Sequence, residues 1–327
     1  MKFKLLSVSV LVIACLVVFL FQKTRPYVKQ LPLIAVANYG QHASLQAAIE
    51  GMQEELAREG YINNKNIRYI IQDVNFDLAL IAQMIANLKN ERPEVMVVMA
   101  TPIAQFAKEK VHNIPLVYGV ITDPLTAGLI KAKNVAGDNI TGSSDQQNLP
   151  AFLTFVKRIL PHAKRVGLLY SIAEANDAFL LKNLQKAAQA ANMELIALPI
   201  DAPRDIPIKM QAVKGKADFI YVGVSGTIQP TLPVIAAEAL KMNIPVFNAD
   251  DSAVHDGLVL GSYGVNYKKV GANIGKLVAM ILKGKKPAEL EPLYPEDKDS
   301  HAVINRKQAL KFKIALPKDL HDIEIVN

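Results

Sequence analysis

From Leu33 onward, short apolar runs alternate with longer segments whose apolar residues recur every three or four positions. Few architectures accept that rhythm. Leu33–Ala37 reads as a strand, and residues 43–59 then place Leu45, Ala48, Ile49, Met52 and Leu56 on one helical face. Ile67–Ile71 is a second strand, followed by a helix that Asp77 would cap. Val95–Met99 is uniformly apolar, as a strand buried on both faces must be. Pro102 opens a helix over 102–111, Pro115–Ile121 is a fourth strand and Asn139–Gly142 a short fifth. The series then restarts: helix 149–160, strand Arg165–Tyr170, helix 175–191, strand Glu194–Pro199, a weak helix 204–213 and strand Asp218–Val222. Helix 229–242, strand Pro245–Asn248, strand Gly257–Tyr263 and helix 268–283 follow. A strand at Ala302–Asn305 and a short helix at Arg306–Phe312 end the pattern. Such alternation predicts α/β structure: two parallel sheets, each flanked by helices, forming two lobes with a hinge and a cleft between them. The expected lobes are 31–145, joined by part of 265–300, and 146–264; residues 300–327 form a tail that the pattern assigns to neither.

Ligands of such folds sit beyond the carboxyl ends of the strands. Those ends are rich in hydroxyl, amide and carboxylate groups. Tyr39 and His42 follow the first strand, Thr101 and Gln105 the third, Thr122 and Asp123 the fourth, and Ser144 and Asp145 the fifth. In the second series come Glu174 and Asn176, then Ser225 and Thr227, then Asp250. Thr101, Asn176 and Thr227 stand just before helices, whose first amides bind anions such as carboxylates. Asp123, Asp145 and Asp250 supply negative charge for a cation such as an ammonium. Taken singly, each such residue is also an ordinary helix cap. Their recurrence in both series is what points to a ligand, with Tyr39 and His42 bordering its side chain.

Charge and composition exclude other classes. The net charge is +7, but residues 1–30 carry five basic residues and no acid, leaving a near balance elsewhere. A nucleic-acid binder clusters its basic residues on a folded face, so nucleic acid is not an expected partner. The one cysteine, Cys15, excludes an intramolecular disulfide and a cysteine-based zinc site. Lys2 and Lys4 precede the uncharged run Leu5–Phe21, and Lys23 and Arg25 follow it. That pattern is an export signal. It fits a cleaved signal peptide, although no A-x-A-like site follows Phe21, or an uncleaved anchor at the short limit for a bilayer span. It also fits a lipoprotein signal, because Val12-Ile13-Ala14-Cys15 resembles a bacterial lipobox with Cys15 as lipid acceptor. Each reading places the rest of the chain outside the cytoplasm.

Several runs together carry a family resemblance extending from about Leu31 to Leu320: Ala100-Thr101-Pro102-Ile103-Ala104-Gln105, Val120-Ile121-Thr122-Asp123-Pro124 with Ala127-Gly128-Leu129, and Asn139-Ile140-Thr141-Gly142 with Ser144-Asp145. Ile159-Leu160-Pro161 with Val166–Tyr170, Glu174-Ala175-Asn176, Ile244–Phe247 and Ile281–Gly284 add to them. On these runs the chain resembles the extracytoplasmic substrate-binding proteins of ABC transporters, in the group that includes tryptophan- and tyrosine-binding members. The resemblance implies a type I periplasmic-binding-protein fold, a small polar ligand such as an amino acid or related carboxylate, and a membrane permease as partner. One departure stands out. Members often carry Thr-Asp-Asn where this chain has Val224-Ser225-Gly226, so an acidic and an amide contact are missing there.

No G-x-S-x-G elbow or Walker A loop is present, and the six histidines form no metal-like pair at helical spacing. Gly271-Ala272-Asn273-Ile274-Gly275 lies within an amphipathic helix and reads as packing. The expectation is a monomeric binding protein without catalytic residues, metal or cofactor. A membrane-anchored ligand-sensing or partner-binding module ranks second, and an enzyme third.

Overall fold

A computed structural model describes residues 31–327. The expected export segment, with Cys15, lies outside the described residues. Among the described residues no helix is long and apolar enough to cross a membrane.

The first sheet contains five strands: β1 (Leu33–Asn38), β2 (Arg68–Asp73), β3 (Val95–Met99), β4 (Leu116–Ile121) and β5 (Ile140–Ser144). Their order is β2-β1-β3-β4-β5, with every pairing parallel. Helices α1 (Ala43–Arg58), α2 (Ile81–Asn90) and α3 (Thr101–Lys110) connect them. β1, β3 and β4 are buried throughout, which explains why their sequences are apolar without alternation. The face of α1 formed by Leu45, Ala48, Ile49, Met52 and Leu56 is the one it buries.

The second sheet has seven strands in the order β12-β11-β10-β9-β8-β6-β7. These are β6 (Arg165–Ser171), β7 (Glu194–Ile200), β8 (Phe219–Val222), β9 (Val246–Asn248), β10 (Gly261–Val265), β11 (Ser300–Asn305) and β12 (Ile323–Val326). All neighbours are parallel except β10 and β11. Helices α4 (Leu149–Ile159), α5 (Ala175–Ala190), α6 (Ile206–Met210), α7 (Leu232–Lys241) and α8 (Ser252–His255) lie among them, and α10 (Arg306–Lys311) follows β11. Phe152 packs on one face, edge to face with Phe219 and Phe247 at centroid distances of 6.3 and 6.1 Å and tilted at 36° over Tyr221 at 4.3 Å.

After β10 the chain leaves the second lobe for α9 (Tyr267–Leu282), whose Val270, Ile274 and Val278 join the core of the first, and then returns as β11. The lobes are therefore linked after β5, after β10 and before β11. α9 lies close against α1: a Cβ on Gly271 would stand 2.0 Å from the Ala48 carbonyl oxygen. The glycines of that helix serve packing.

Two segments differ from expectation. Residues 257–260 are not strand: Gly257 has φ +70°, and the Leu258 amide returns to the Ala253 carbonyl, so this stretch closes α8. β12 has no counterpart in the sequence pattern, being only four residues long.

Candidate functional site

The carboxyl ends of both sheets face one another across a cavity of about 50 Å³. From the first lobe it is lined by Tyr39, His42, Phe76, Thr101, Val120, Thr122 and Asp145, and from the second by Glu174, Asn176, Ser225, Gly226 and Gln229. Two of its walls are backbone outliers. Ala100, at the end of β3, has φ +73°. Val120 has φ +56° at the point where the β4–β5 register shifts between Gly119 and Ile121. A β-branched residue in the left-handed region is rare and costs on the order of 1–3 kcal/mol, and such strain concentrates at ligand sites.

Two helices begin at the cavity, one from each lobe. α3 has no side-chain cap, and neither does α5, whose N-cap residue is Glu174. The first amides of a helix have no intrahelical acceptor. A ligand carboxylate between these two ends would meet amides at the positive ends of both helix dipoles. α1 differs, because His42 Nδ1 accepts from the Ser44 amide at 3.3 Å and sits beside Ser44 Oγ at 2.8 Å.

Asp145 is fully buried at the end of β5. Its Oδ1 has no hydrogen-bond partner among the described residues, and Oδ2 accepts a long bond from the Tyr267 hydroxyl, at 3.5 Å. No lysine or arginine lines the cavity. Burial pushes the Asp145 carboxyl up to about 7, against the weaker opposing effect of hydrogen bonds from the backbone, Tyr267 and Thr122. Asn176 is similarly incomplete. Its Nδ2 donates to the Val224 carbonyl at 3.1 Å and lies 3.4 Å from Glu174 Oε2, while its Oδ1 is unpartnered.

Glu174 has its bonds within the protein. Its carboxylate accepts from the Gly226 amide at 3.0 Å, the Thr227 amide at 2.9 Å and the Thr227 hydroxyl at 2.7 Å. The 225–227 turn, which overlaps the departure at Val224-Ser225-Gly226, therefore already holds an anion. Tyr39 closes over it from the opposite lobe. A Cβ on Gly226 would stand 2.2 Å from Tyr39 Cε1. Burial, and next the Glu174 charge, raise the Tyr39 hydroxyl far above its ordinary range. Phe76 meets Tyr39 edge-on, with centroids 5.3 Å apart.

Of the residues singled out in the sequence, Tyr39, His42, Thr101, Thr122, Asp145, Glu174, Asn176 and Ser225 come together here. Five do not line the cavity. Asp123 folds back on its own turn, accepting from the Leu125 amide at 3.2 Å, the Thr126 amide at 3.3 Å and the Thr126 hydroxyl. Asp250 does the same with Ser252, whose amide it accepts at 2.9 Å. Gln105 donates to the Ala127 carbonyl at 3.2 Å. Ser144 Oγ accepts from the Gln146 amide at 3.0 Å and donates to the Thr122 carbonyl at 3.3 Å. Thr227 is held by Glu174, so its amide is not available to a ligand carboxylate. Phe76 escaped the sequence reading, yet it follows β2 and so obeys the same strand-end rule. Among the described residues no group of His, Cys, Asp and Glu could hold a metal ion.

Comparison with known proteins agrees with this architecture. A family model described as ABC transporter substrate binding protein matches residues 33–323. A tyrosine-binding protein of Clostridioides difficile is 27% identical over 257 residues, covering 79% of this chain and 74% of that one. Among solved structures, a conserved domain protein of Vibrio cholerae is 29% identical, covers 91% of this chain and 100% of that chain, and superposes with a TM-score of 0.86. An ABC domain from Streptococcus pneumonia in complex with L-Trp is 26% identical, with the same coverages and a TM-score of 0.86. The two-sheet arrangement is the type I periplasmic-binding-protein fold. With nearly the whole described chain matched and strand ends from both lobes meeting at one cavity, this chain belongs to the ABC transporter substrate-binding protein family.

Proposed function

We propose that the chain is the extracytoplasmic binding component of an ABC importer and that its ligand is an α-amino acid held between the lobes. The observation that carries this reading is Asp145: a fully buried carboxylate with an unpartnered oxygen and no cation among its described neighbours. Burying an unpaired charge is costly, and a ligand ammonium removes that cost. The two uncapped helix starts, α3 and α5, supply amides for the ligand carboxylate. The Asn176 Oδ1 is a second acceptor for the ammonium. A zwitterion with its two charges a few ångströms apart matches this layout, whereas a neutral sugar leaves Asp145 unpaired.

Binding at both lobes draws them together, and the closed monomer then presents itself to a membrane permease, which takes the ligand onward. The L-Trp complex of the streptococcal relative and the name of the clostridial one support this ligand class.

Calorimetry on the full-length chain with L-tryptophan, L-tyrosine, L-phenylalanine, L-leucine and L-alanine tests the reading. At least one should bind. Asp145→Ala should then weaken that binding more than tenfold, since losing one partner of a buried charge pair costs on the order of 2–5 kcal/mol. If none of the five binds, or Asp145→Ala leaves affinity unchanged, the assignment is wrong.

A further inference from the structure

A second cavity, of about 320 Å³, adjoins the first and shares Thr122, Asn176 and Val224 with it. It lies in the second lobe, between the carboxyl end of β8, the start of α4 and one face of α5. Its walls are mostly apolar, with Leu149, Phe179, Leu180 and Ala187 among them. Thr122, Gln146, Gln147, Asp177, Asn183 and Lys186 add polar edges, and two further residues present polar atoms without a partner. Tyr221 is fully buried, and its hydroxyl has no partner among the described residues. Asn176 is 8% exposed and lines both cavities, with its Oδ1 unpartnered.

The volumes divide the ligand. A buried water needs at least about 10–15 Å³ on this measure, so about 50 Å³ holds only a few waters. That is space for an ammonium and a carboxylate, not for a large side chain. Tyr39, packed on Gly226 and braced by Phe76, occupies the remaining width on the other flank. Past Asn176, by contrast, the space opens sixfold, with apolar walls that suit a ring or branched chain.

We infer that this second cavity is the side-chain subsite, and that the ligand is an amino acid with a bulky, mainly apolar side chain carrying one hydrogen-bonding group that meets the Tyr221 hydroxyl. The inference rests on the amino-acid reading above and adds where the side chain goes. Asn176 stands at the junction, and its amide orientation is fixed by the Val224 carbonyl that Nδ2 donates to. Its Oδ1 is left to accept from the ligand's ammonium or from a side-chain N–H or O–H.

The experiment measures, on the full-length chain, affinities for the same five amino acids in wild type, Ala187→Phe, Tyr221→Phe and Phe76→Ala, each with a melting curve. Ala187→Phe fills the second cavity. It should weaken L-tryptophan and L-tyrosine more than tenfold and change L-alanine less than about threefold, because an obstructed pocket removes the buried side-chain area but not the head-group contacts. Tyr221→Phe removes only a hydroxyl without a partner, so the fold is unaffected even where Ala187→Phe melts early. It should weaken whichever of tyrosine and tryptophan binds by about two- to tenfold and leave phenylalanine and leucine alone. If Tyr221→Phe changes none of these, or Phe76→Ala alone abolishes selectivity for large side chains, the subsite is misplaced while the amino-acid reading survives. Binding of L-alanine only would likewise overturn the subsite and spare the head-group site. Binding of none of the five by wild type overturns the reading beneath it, and the subsite with it.

Discussion

Ligand affinity should depend on pH, with a slope set by Asp145. Burial raises its carboxyl to about 7 in the unliganded protein. An ammonium against Oδ1 favours the ionised form, so binding an amino acid expels a proton wherever Asp145 was protonated beforehand. At pH 8 almost every molecule is ionised. At pH 5.5, one and a half units below a value near 7, only about 3% are, so apparent affinity should be about thirtyfold weaker than at pH 8. Titration calorimetry at pH 5.5, in two buffers of different ionisation enthalpy, should show about one proton released per ligand bound; at pH 8 it should show almost none. Other acids lie nearby. Asp177 is also raised to about 7 by burial and by the Glu174 charge, but its Oδ2 is held by the Ser171 amide at 2.5 Å. Asp177→Asn should therefore preserve the slope, and Asp145→Asn should abolish it. Stability of the free protein runs in the matching direction. An unfolded Asp loses its proton near 4 and the folded Asp145 keeps it until about 7, so stability falls as pH rises across that window and levels off above it. A pH-independent affinity, or proton uptake on binding, would refute the role given to Asp145.

Gly226→Ala puts a Cβ 2.2 Å from Tyr39 Cε1, so it should hinder closure and weaken ligand binding more than tenfold by calorimetry while leaving the unliganded melt little changed. Glu174→Ala strips the acceptor from the Gly226 and Thr227 amides and should lower unfolding free energy by about 1–3 kcal/mol in urea titrations. Asp123→Ala removes a turn cap and should cost about 1 kcal/mol of stability with affinity unchanged; a tenfold loss of affinity would return Asp123 to the site. Gly271→Ala forces α9 away from the Ala48 carbonyl and should destabilise by about 1–3 kcal/mol without altering ligand affinity.

The fold was legible because its signal is repetitive. Val95–Met99 is apolar and Leu116–Ile121 nearly so, and both are buried in every position because helices cover both faces of their sheet, and the Leu45–Leu56 face of α1 is as periodic as its burial demands. β12 was not legible, since four residues at an edge, paired only with β11, carry too little pattern. Nor was the start of β10, where Leu258-Val259-Leu260 is as apolar as a strand but is bent by the turn at Gly257. Local apolarity there reflects burial, not extended geometry.

The clustering of strand-end residues at one cavity was legible as a set and misleading one residue at a time, for a reason visible in the carboxylates. Asp123 and Asp250 each have donors two or three residues ahead, at Leu125, Thr126 and Ser252, and both are consumed by those turns. Asp145 has none in the same reach: the Gln146 amide goes to Ser144 Oγ, and the Gln147 side chain goes to the Asp145 backbone carbonyl. Glu174 is a third case, satisfied from 52 and 53 residues away by backbone amides that no local motif announces. A strand-end acid becomes available to a ligand when the turn after it offers no donor and no distant amide reaches it. The first condition is a matter of neighbouring residues, and sequence can address it. The second depends on how the β8–α7 loop packs against the start of α5. In this chain that packing also sets the geometry of the cleft: Glu174 holds the 225–227 turn in place, Gly226 admits the Tyr39 ring, and the central cavity beside them is left at about 50 Å³.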